Sequence, residues 1–163
     1  MRALRGARAV SGRGSAARRR RITKADYQTL AEFRYLLRRF LVFSENAAAD
    51  AGLTAQQHQA LLAIKGFPGR EHVTTGELAE RLCIKHHSAV GLVDRLVANG
   101  LVERRSGIDD RRQVWVELTP MAEELLLSLS VMHREEISRL APLLQSLLGH
   151  FEEETDGAAK ETK

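Results

Sequence analysis

Four consecutive polar residues, Lys85, His86, His87 and Ser88, stand immediately before a run of apolar residues at helical spacing. This spacing predicts that the four residues begin a helix. Positive charge at a helix N-terminus is unfavourable by about 0.3 to 1 kcal/mol unless an anion lies beside it. Because helix N-termini bind phosphate readily, the run indicates a phosphate-binding helix start.

The surface of this helix that faces away from its apolar residues suits a nucleic-acid groove. Val90 offers methyl groups to a thymine methyl, and the Ser88 hydroxyl can hydrogen-bond a phosphate or a base. Gly91 costs about 1 kcal/mol relative to alanine inside a helix, which either a close backbone approach or neutral drift explains. Asp94 lies on the same surface, and Arg95 is included among the candidate DNA-binding residues. The alternative is a solvated helix surface with an incidental histidine pair.

A second charged cluster falls in a predicted hairpin. It has two aspartates and two arginines at the tip and two arginines at the base: Asp109, Asp110, Arg111, Arg112, Arg104 and Arg105. An aspartate that orients a tip arginine would direct it into a narrow minor groove, and the base arginines would hold phosphates. Simple solvation of a mixed-charge loop is the alternative. Residues 85–112 have six basic and four acidic residues, so this segment is basic.

Local signals predict the elements that position these residues. Thr54 with Gln57, and Thr74 with Glu77, have the spacing of capping boxes, in which each side chain bonds the other residue's backbone N–H. The first box starts a helix that runs to about residue 64. The second starts a short helix over residues 75–82.

A three-residue turn then separates this short helix from the helix over residues 86–98, which ends at Gly100. Two helices around such a turn are a helix-turn-helix. Residues 101–105 and 113–118 alternate as strands, and Val73 adds a short extended segment. A helix-turn-helix followed by a hairpin is a winged helix, so we expect an all-α fold with a small β-wing.

Two long helices are predicted to flank the winged helix. Residues 24–49 have an apolar stripe that is wide enough to pack on two surfaces at once, with members Leu30, Phe33, Leu36, Leu37, Phe40, Leu41, Phe43 and Ala47. A partner subunit is the economical second surface. The other long helix begins at Thr119 and Pro120, and Pro142 is expected to break or kink it near Ala141.

Residues 73–120, VTTGELAERLCIKHHSAVGLVDRLVANGLVERRSGIDDRRQVWVELTP, resemble the MarR family of multiple-antibiotic-resistance regulators. The segments LVDRL, NGLVERR and DDRRQVWVELTP carry the resemblance, and GLTAQQHQALLAI resembles the family's second helix. The resemblance implies a homodimeric bacterial transcription regulator, usually a repressor. It implies a double-stranded, pseudo-palindromic DNA operator and release by a small phenolic or lipophilic effector.

Position by position, the resemblance places the wing aspartate and minor-groove arginine on Asp110 and Arg112. The base-reading stretch falls on Lys85, His86, His87, Ser88, Val90 and Gly91. Lys85 and Gly91 differ from the residues that are common at these positions in the family. The family's preference for particular bases therefore cannot be carried over to this sequence.

The family's effector pocket lies between the dimer helices and the winged helix, which makes Phe33, Leu37, Phe40 and His58 its candidate lining. Core packing explains the same four residues. His133 is most simply part of a solvated helix surface.

No cofactor or metal is expected. His58, His72, His133 and His150 are scattered without ligand spacing. Cys83, the single cysteine, is interpreted as a small buried thiol in the turn of the helix-turn-helix.

Charge and composition bound the remaining possibilities. Residues 1–21 contain eight arginines and no acid, so the chain's net charge of +4 becomes 4 − 8 = −4 without them. This extension is predicted to be disordered. The extension is a basic arm that contacts DNA, a transit-like segment or a solvated extension without a role.

One cysteine and the lack of a long apolar run favour a cytoplasmic protein outside the membrane. The sequence shows no arrangement of residues typical of a catalytic site, so we do not expect an enzyme.

The predicted organisation is a disordered extension (1–21), dimerisation helices (22–50 and 120–151), a winged helix-turn-helix (52–119) and a disordered acidic tail (152–163). The predicted function is that of a homodimeric, sequence-specific regulator of transcription. Two alternatives remain: a winged helix that only dimerises, and an architectural DNA-binding protein without an effector.

Overall fold

A computed structural model describes residues 22–106 and 113–160, with side chains as far as residue 149. The predictions for residues 1–21 and for the wing tip at Asp110, Arg111 and Arg112 lie outside the described residues. The elements in chain order are α1 (Lys24–Asp50), α2 (Ala55–Lys65), β1 (His72–Val73), α3 (Thr75–Arg81), α4 (His86–Ala98), β2 (Val102–Ser106), β3 (Val114–Leu118) and α5 (Pro120–Lys160). The prediction of an all-α fold with a small β-wing is confirmed.

Both predicted capping boxes form. Thr54 and Gln57 exchange backbone-to-side-chain hydrogen bonds of 2.9 and 3.2 Å at the start of α2, and Thr74 and Glu77 do the same at α3. A third box, which the sequence reading missed, starts α1 at Thr23. Such caps are worth about 1 kcal/mol each, so these helix starts are fixed by residues within one turn.

Three helices end in the same backbone motif. After α4, the N–H of Gly100 bonds the carbonyl of Val97 and the N–H of Leu101 bonds that of Leu96, which is a Schellman motif. Gly52 occupies the equivalent left-handed position after α1 and Cys83 occupies it after α3, with φ of 76° and 52°. The turn of the helix-turn-helix is therefore built on a left-handed cysteine.

The three strands form one antiparallel sheet in the order β1-β3-β2. Val73 pairs with Val116, and Arg104 pairs with Val116 from the other side. Val73, Val102 and Val116 are 0 to 2% exposed and turn one surface of the sheet toward the helices. The sheet thus joins the helix-turn-helix to the wing through a shared core.

The core is centred on α2, whose Ala60, Leu61 and Ile64 are completely buried. They cluster with Leu92 and Leu96 of α4 and with residues at the start of α5. Burying a leucine or isoleucine contributes about 1.5 to 3 kcal/mol. The winged helix is therefore tied to α5 through α2.

The helix α5 continues through Pro142, so of the break or kink expected near Ala141 the break does not occur. A proline removes one backbone hydrogen bond, and the turn before it is held by Leu140, which is 5% exposed. The helix also extends to Lys160, beyond residue 151, where the predicted helix gives way to a tail. Within the described ranges, no helix combines the length and apolar character that crossing a membrane requires.

Candidate nucleic-acid interface

The helix α4 has one buried and one exposed surface. Its buried residues are Ala89, Leu92, Val93 and Leu96. The exposed surface contains His86, His87, Ser88 and Val90, with Gly91 partly buried beside them. The structure therefore brings together the α4 residues that the sequence nominates and leaves them open to a large partner.

The N-terminus of α4 is open. Lys85 occupies the N-cap position without a side-chain hydrogen bond to the helix, and the first turn has no acidic residue. The other four helices each have a threonine cap, including Thr119 before α5. The first backbone N–H groups of α4 are consequently available to an anion.

The arginines of β2 are held by carboxylates. The Arg104 guanidinium donates to Asp94 of α4 with Nη2 2.5 Å from Oδ1. Arg105 pairs with Glu117 on the neighbouring strand β3. Both arginines keep 40 to 67% of their side-chain surface exposed, so they can still reach a phosphate from fixed positions.

Arg95 is exposed on α4 beside Gly91. A methyl group at Gly91 would lie 3.5 Å from Nη1 of Arg95, which is ordinary contact. The protein's own packing therefore does not require glycine at this position.

The expectation that Cys83 is a buried thiol is wrong, because its side chain is exposed. The left-handed backbone at residue 83 places the residue outside the turn of α3, while the neighbouring Leu82 and Ile84 pack against the core.

His133 is buried, contrary to the prediction of a solvated position. It is 8% exposed, its Nδ1 is 2.7 Å from the Leu129 carbonyl and its Nε2 is 2.9 Å from the Ser44 hydroxyl of α1. Its ring lies 4.6 Å from that of His58 on α2, which is 3% exposed. Burial, followed by the charge of His133, lowers the pKa of His58. Two histidines that are distant in sequence thus form one buried pair.

A cavity of about 290 Å³ opens beside this pair, between α2 and α5. Its lining combines apolar, hydroxyl, imidazole and guanidinium groups from His58, Leu62, Ser130, His133, Arg134, Ile137 and Ser138. Of the predicted pocket residues, His58 alone lines it. Phe40 instead contacts the His133 ring at 5.9 Å, Phe33 is half-buried and Leu37 is 42% exposed.

The part of the chain that the structure describes contains no group of three side chains suited to a metal ion. His58 and His133 alone supply two imidazoles, fewer than structural or catalytic zinc sites use.

Arg70 anchors the edge of the sheet and was not identified from the sequence. Its guanidinium lies 4.6 Å from the Phe67 ring and 4.7 Å from the Trp115 ring. Its Nε donates to the His72 carbonyl and its Nη2 pairs with Glu77. Arg70 therefore links β1, β3 and the start of α3, which sets the base of the wing. No local sequence pattern marks such a contact.

The MarR family model matches residues 51–113. The fold is similar to that of AbsC, a MarR family transcriptional regulator from Streptomyces coelicolor, at 18% identity and a TM-score of 0.65, covering 87% of this chain and 97% of that one. BldR from Sulfolobus solfataricus is 25% identical, with a TM-score of 0.56 and coverage of 81% and 99%. No curated protein matches the chain in sequence.

A mutant of MarR from E. coli, solved in complex with operator DNA, is 22% identical to this chain. Its TM-score is 0.57, with coverage of 76% of this chain and 93% of that one. These likenesses extend from the winged helix into both flanking helices.

Proposed function

We propose that this chain is a transcriptional regulator of the MarR family, whose model matches residues 51–113, and that it binds double-stranded DNA through α4 and the wing. The observation that carries the proposal is the open N-terminus of α4 next to its exposed polar surface. A helix of this kind fits the major groove, with its N-terminal residues against base edges.

Each residue has a proposed role. Lys85, His86, His87 and the first N–H groups of α4 bind phosphate, and Ser88, Val90 and Gly91 face base edges. Arg95 and the paired Arg104 and Arg105 hold the flanking backbone. By resemblance, Asp110 orients Arg112 toward the minor groove, with Arg111 beside it.

The regulator is proposed to act as a homodimer. The protomer exposes large apolar side chains on both long helices, among them Tyr27, Leu41 and Val42 of α1 and Leu127 and Val131 of α5, which are 48 to 68% exposed. Apolar surface of this extent marks an interaction site. A two-fold dimer would place the two α4 helices about 34 to 36 Å apart, in successive major grooves.

Repression with release by a small effector is the finer proposal. The cavity between α2 and α5 combines Leu62 and Ile137 with the polar groups of His58, Ser130 and Arg134. This composition suits a small organic molecule that is apolar on one side. An effector that binds better to a conformation with the wrong spacing of α4 helices would release the operator by population shift.

Selection from random duplex DNA, followed by competition binding at physiological salt, tests the proposal. A sequence-specific regulator should select a pseudo-palindrome and prefer it over random DNA by about 10³-fold or more. Equal affinity for both DNAs would identify an architectural protein. No binding even at low salt would identify a winged helix that only dimerises.

A further inference from the structure

Three helices meet at the two buried histidines. His58 comes from α2 and His133 from α5, and the Ser44 hydroxyl of α1 lies 2.9 Å from His133 Nε2. The edges of Phe40 and Phe43 close the pair on the α1 side, at 5.9 and 5.3 Å from the His133 ring. Any change in the charge of this pair therefore acts on the junction between the long helices and the winged helix.

The hydrogen bonds define the uncharged state of the pair. A carbonyl only accepts, so His133 Nδ1 carries a proton and donates to the Leu129 carbonyl at 2.7 Å. In neutral His133, Nε2 then accepts from the Ser44 hydroxyl. His58 Nδ1 is buried and has no hydrogen-bond partner among the described residues. A proton added to this nitrogen would find no acceptor.

The described residues that line the cavity beside the pair offer no counter-charge either. Arg134 of α5 lines the same cavity and is positive, and the cavity lining contains no carboxylate. Glu136, one turn beyond His133 on α5, pairs with Arg139 at 3.0 Å. From α1 the pair meets the Ser44 hydroxyl and two phenyl rings, and from α2 only His58 itself is titratable in the lining. A protonated His58 would therefore be an uncompensated buried charge.

We propose that the His58–His133 pair is a proton-binding device: protonation of His58 opens the contact between α2 and the His133 turn of α5 and thereby lowers operator affinity. This inference rests on the proposed function, because α2 carries the winged helix while α1 and α5 carry the proposed dimer interface. The core on the opposite surface of α2, with Ala60, Leu61 and Ile64 completely buried, joins α2 to α4 and to Ala122 and Leu126 at the start of α5. The opening therefore acts on α5 from His133 onward.

The direction of the pH dependence follows from the pKa of His58, which burial and the nearby His133 charge lower from its ordinary value of 6.5. Above that value His58 is neutral in every state and the closed junction is favoured. Below it, a state that exposes His58 binds more protons than the closed state and is progressively favoured. Each pKa unit between the two states shifts their equilibrium by about tenfold.

The experiment measures dissociation constants for the selected operator at pH 8 and pH 5.5 in full-length protein. The variants are His58→Gln and His58→Phe, whose new side chains carry no titratable group. The control is His72→Gln, which removes a histidine that lies edge-on to Trp115, outside the pair. We expect the dissociation constant at pH 5.5 divided by that at pH 8 to be several-fold larger in the wild type and the control than in the His58 variants. His86 and His87 are present in every protein, so any contribution that they make to the pH dependence cancels in the comparison.

Imidazole NMR titration of the same proteins gives the second readout. A His58 resonance that titrates below the ordinary histidine pKa of 6.5 supports the device, and one that titrates at that value overturns it. Equal pH ratios in wild type and both His58 variants would also overturn it. If the wild type binds no DNA at any pH, the proposed function fails, and pH-dependent unfolding abolished by His58→Gln would still identify the proton device.

Discussion

Asp94 of α4 accepts a hydrogen bond from Arg104 of β2, with 2.5 Å between Oδ1 and Nη2. The pair joins the helix proposed to enter the major groove to the strand that leads into the wing. Both side chains are substantially exposed, at 58 and 40%, and exposed ion pairs contribute about 0 to 1 kcal/mol to stability. We therefore expect the pair to fix the position of Arg104 relative to α4 and to contribute little to the stability of the fold.

Asp94→Asn should release Arg104 and remove one negative charge from the surface that is proposed to face DNA. We expect the unfolding free energy to change by less than about 1 kcal/mol, while non-specific DNA affinity rises and the specificity ratio falls several-fold. Competition between operator and random DNA measures the ratio. Glu80→Gln is the matched control, because it makes the same charge change at an exposed residue of α3 without touching Asp94 or the arginines of β2. If the ratio of operator affinity to random-DNA affinity falls equally in both variants, Asp94 does not position Arg104 for binding.

Cys83→Gly should stabilise the protein. The residue has a φ of 52°, and left-handed backbone costs a non-glycine residue roughly 1 to 2 kcal/mol. Part of this gain is offset by the greater entropy of glycine in the unfolded chain, so we expect a net increase of about 0.5 to 1 kcal/mol in urea unfolding. Gly100→Ala, at the equivalent position after α4, should destabilise by a similar amount. A less stable Cys83→Gly variant would contradict the strain argument.

Gly91→Ala should separate stability from DNA binding. The added methyl group has room next to Arg95, and alanine favours a helix over glycine by about 1 kcal/mol. If the α4 backbone approaches DNA at this position, the more stable variant will bind operator more weakly. Urea unfolding and operator titration measure the two effects. Unchanged affinity would place Gly91 outside the interface.

Glu77→Gln should make the unfolding free energy less sensitive to acid than it is in the wild type. Burial raises the pKa of Glu77, and this effect is outweighed by hydrogen bonds from Thr74 and by the ion pair with Arg70, so the pKa is lowered overall. Because the folded state holds the charged form, this contribution is present above the ordinary pKa of 4.5 and is lost as pH falls below it. Glutamine keeps the capping box but not the ion pair.

Unfolding measured between pH 7 and pH 3 should therefore be less steep below about pH 4.5 in Glu77→Gln than in the wild type. The decline that sets in below pH 6.5, which is assigned to His58, should be the same in both proteins. An unchanged slope below pH 4.5 would show that Glu77 does not carry the acid sensitivity.

Leu127→Glu should weaken the proposed dimer. Leu127 is 68% exposed in the protomer, so the substitution leaves the fold of the protomer intact but places a charge on apolar surface that a partner would cover. Sedimentation velocity should show monomer at concentrations where the wild type is dimeric. Val114→Glu, at a residue of β3 that is 47% exposed, is the control. A dimer of unchanged affinity would move the interface elsewhere.

Local features of this protein were predictable because the interactions behind them span a few residues. The capping boxes at Thr54 and Thr74 and the left-handed glycines at Gly52 and Gly100 depend on hydrogen bonds within one helical turn. The hairpin and the exposed surface of α4 follow from residue alternation and helical periodicity. The sequence by itself therefore determined the winged helix and nominated its DNA-facing residues.

The tertiary structure decided what depends on distant partners. The polar residues that follow His133 in sequence suggest a solvated position. In the fold it is buried, because it packs against Ser44, 89 positions away, and against His58 on another helix. Arg70 gains its role from Trp115, and Cys83 is exposed because the packing of Leu82 and Ile84 turns it outward. No periodicity reports which helices meet, since that is settled by the packing of the whole core.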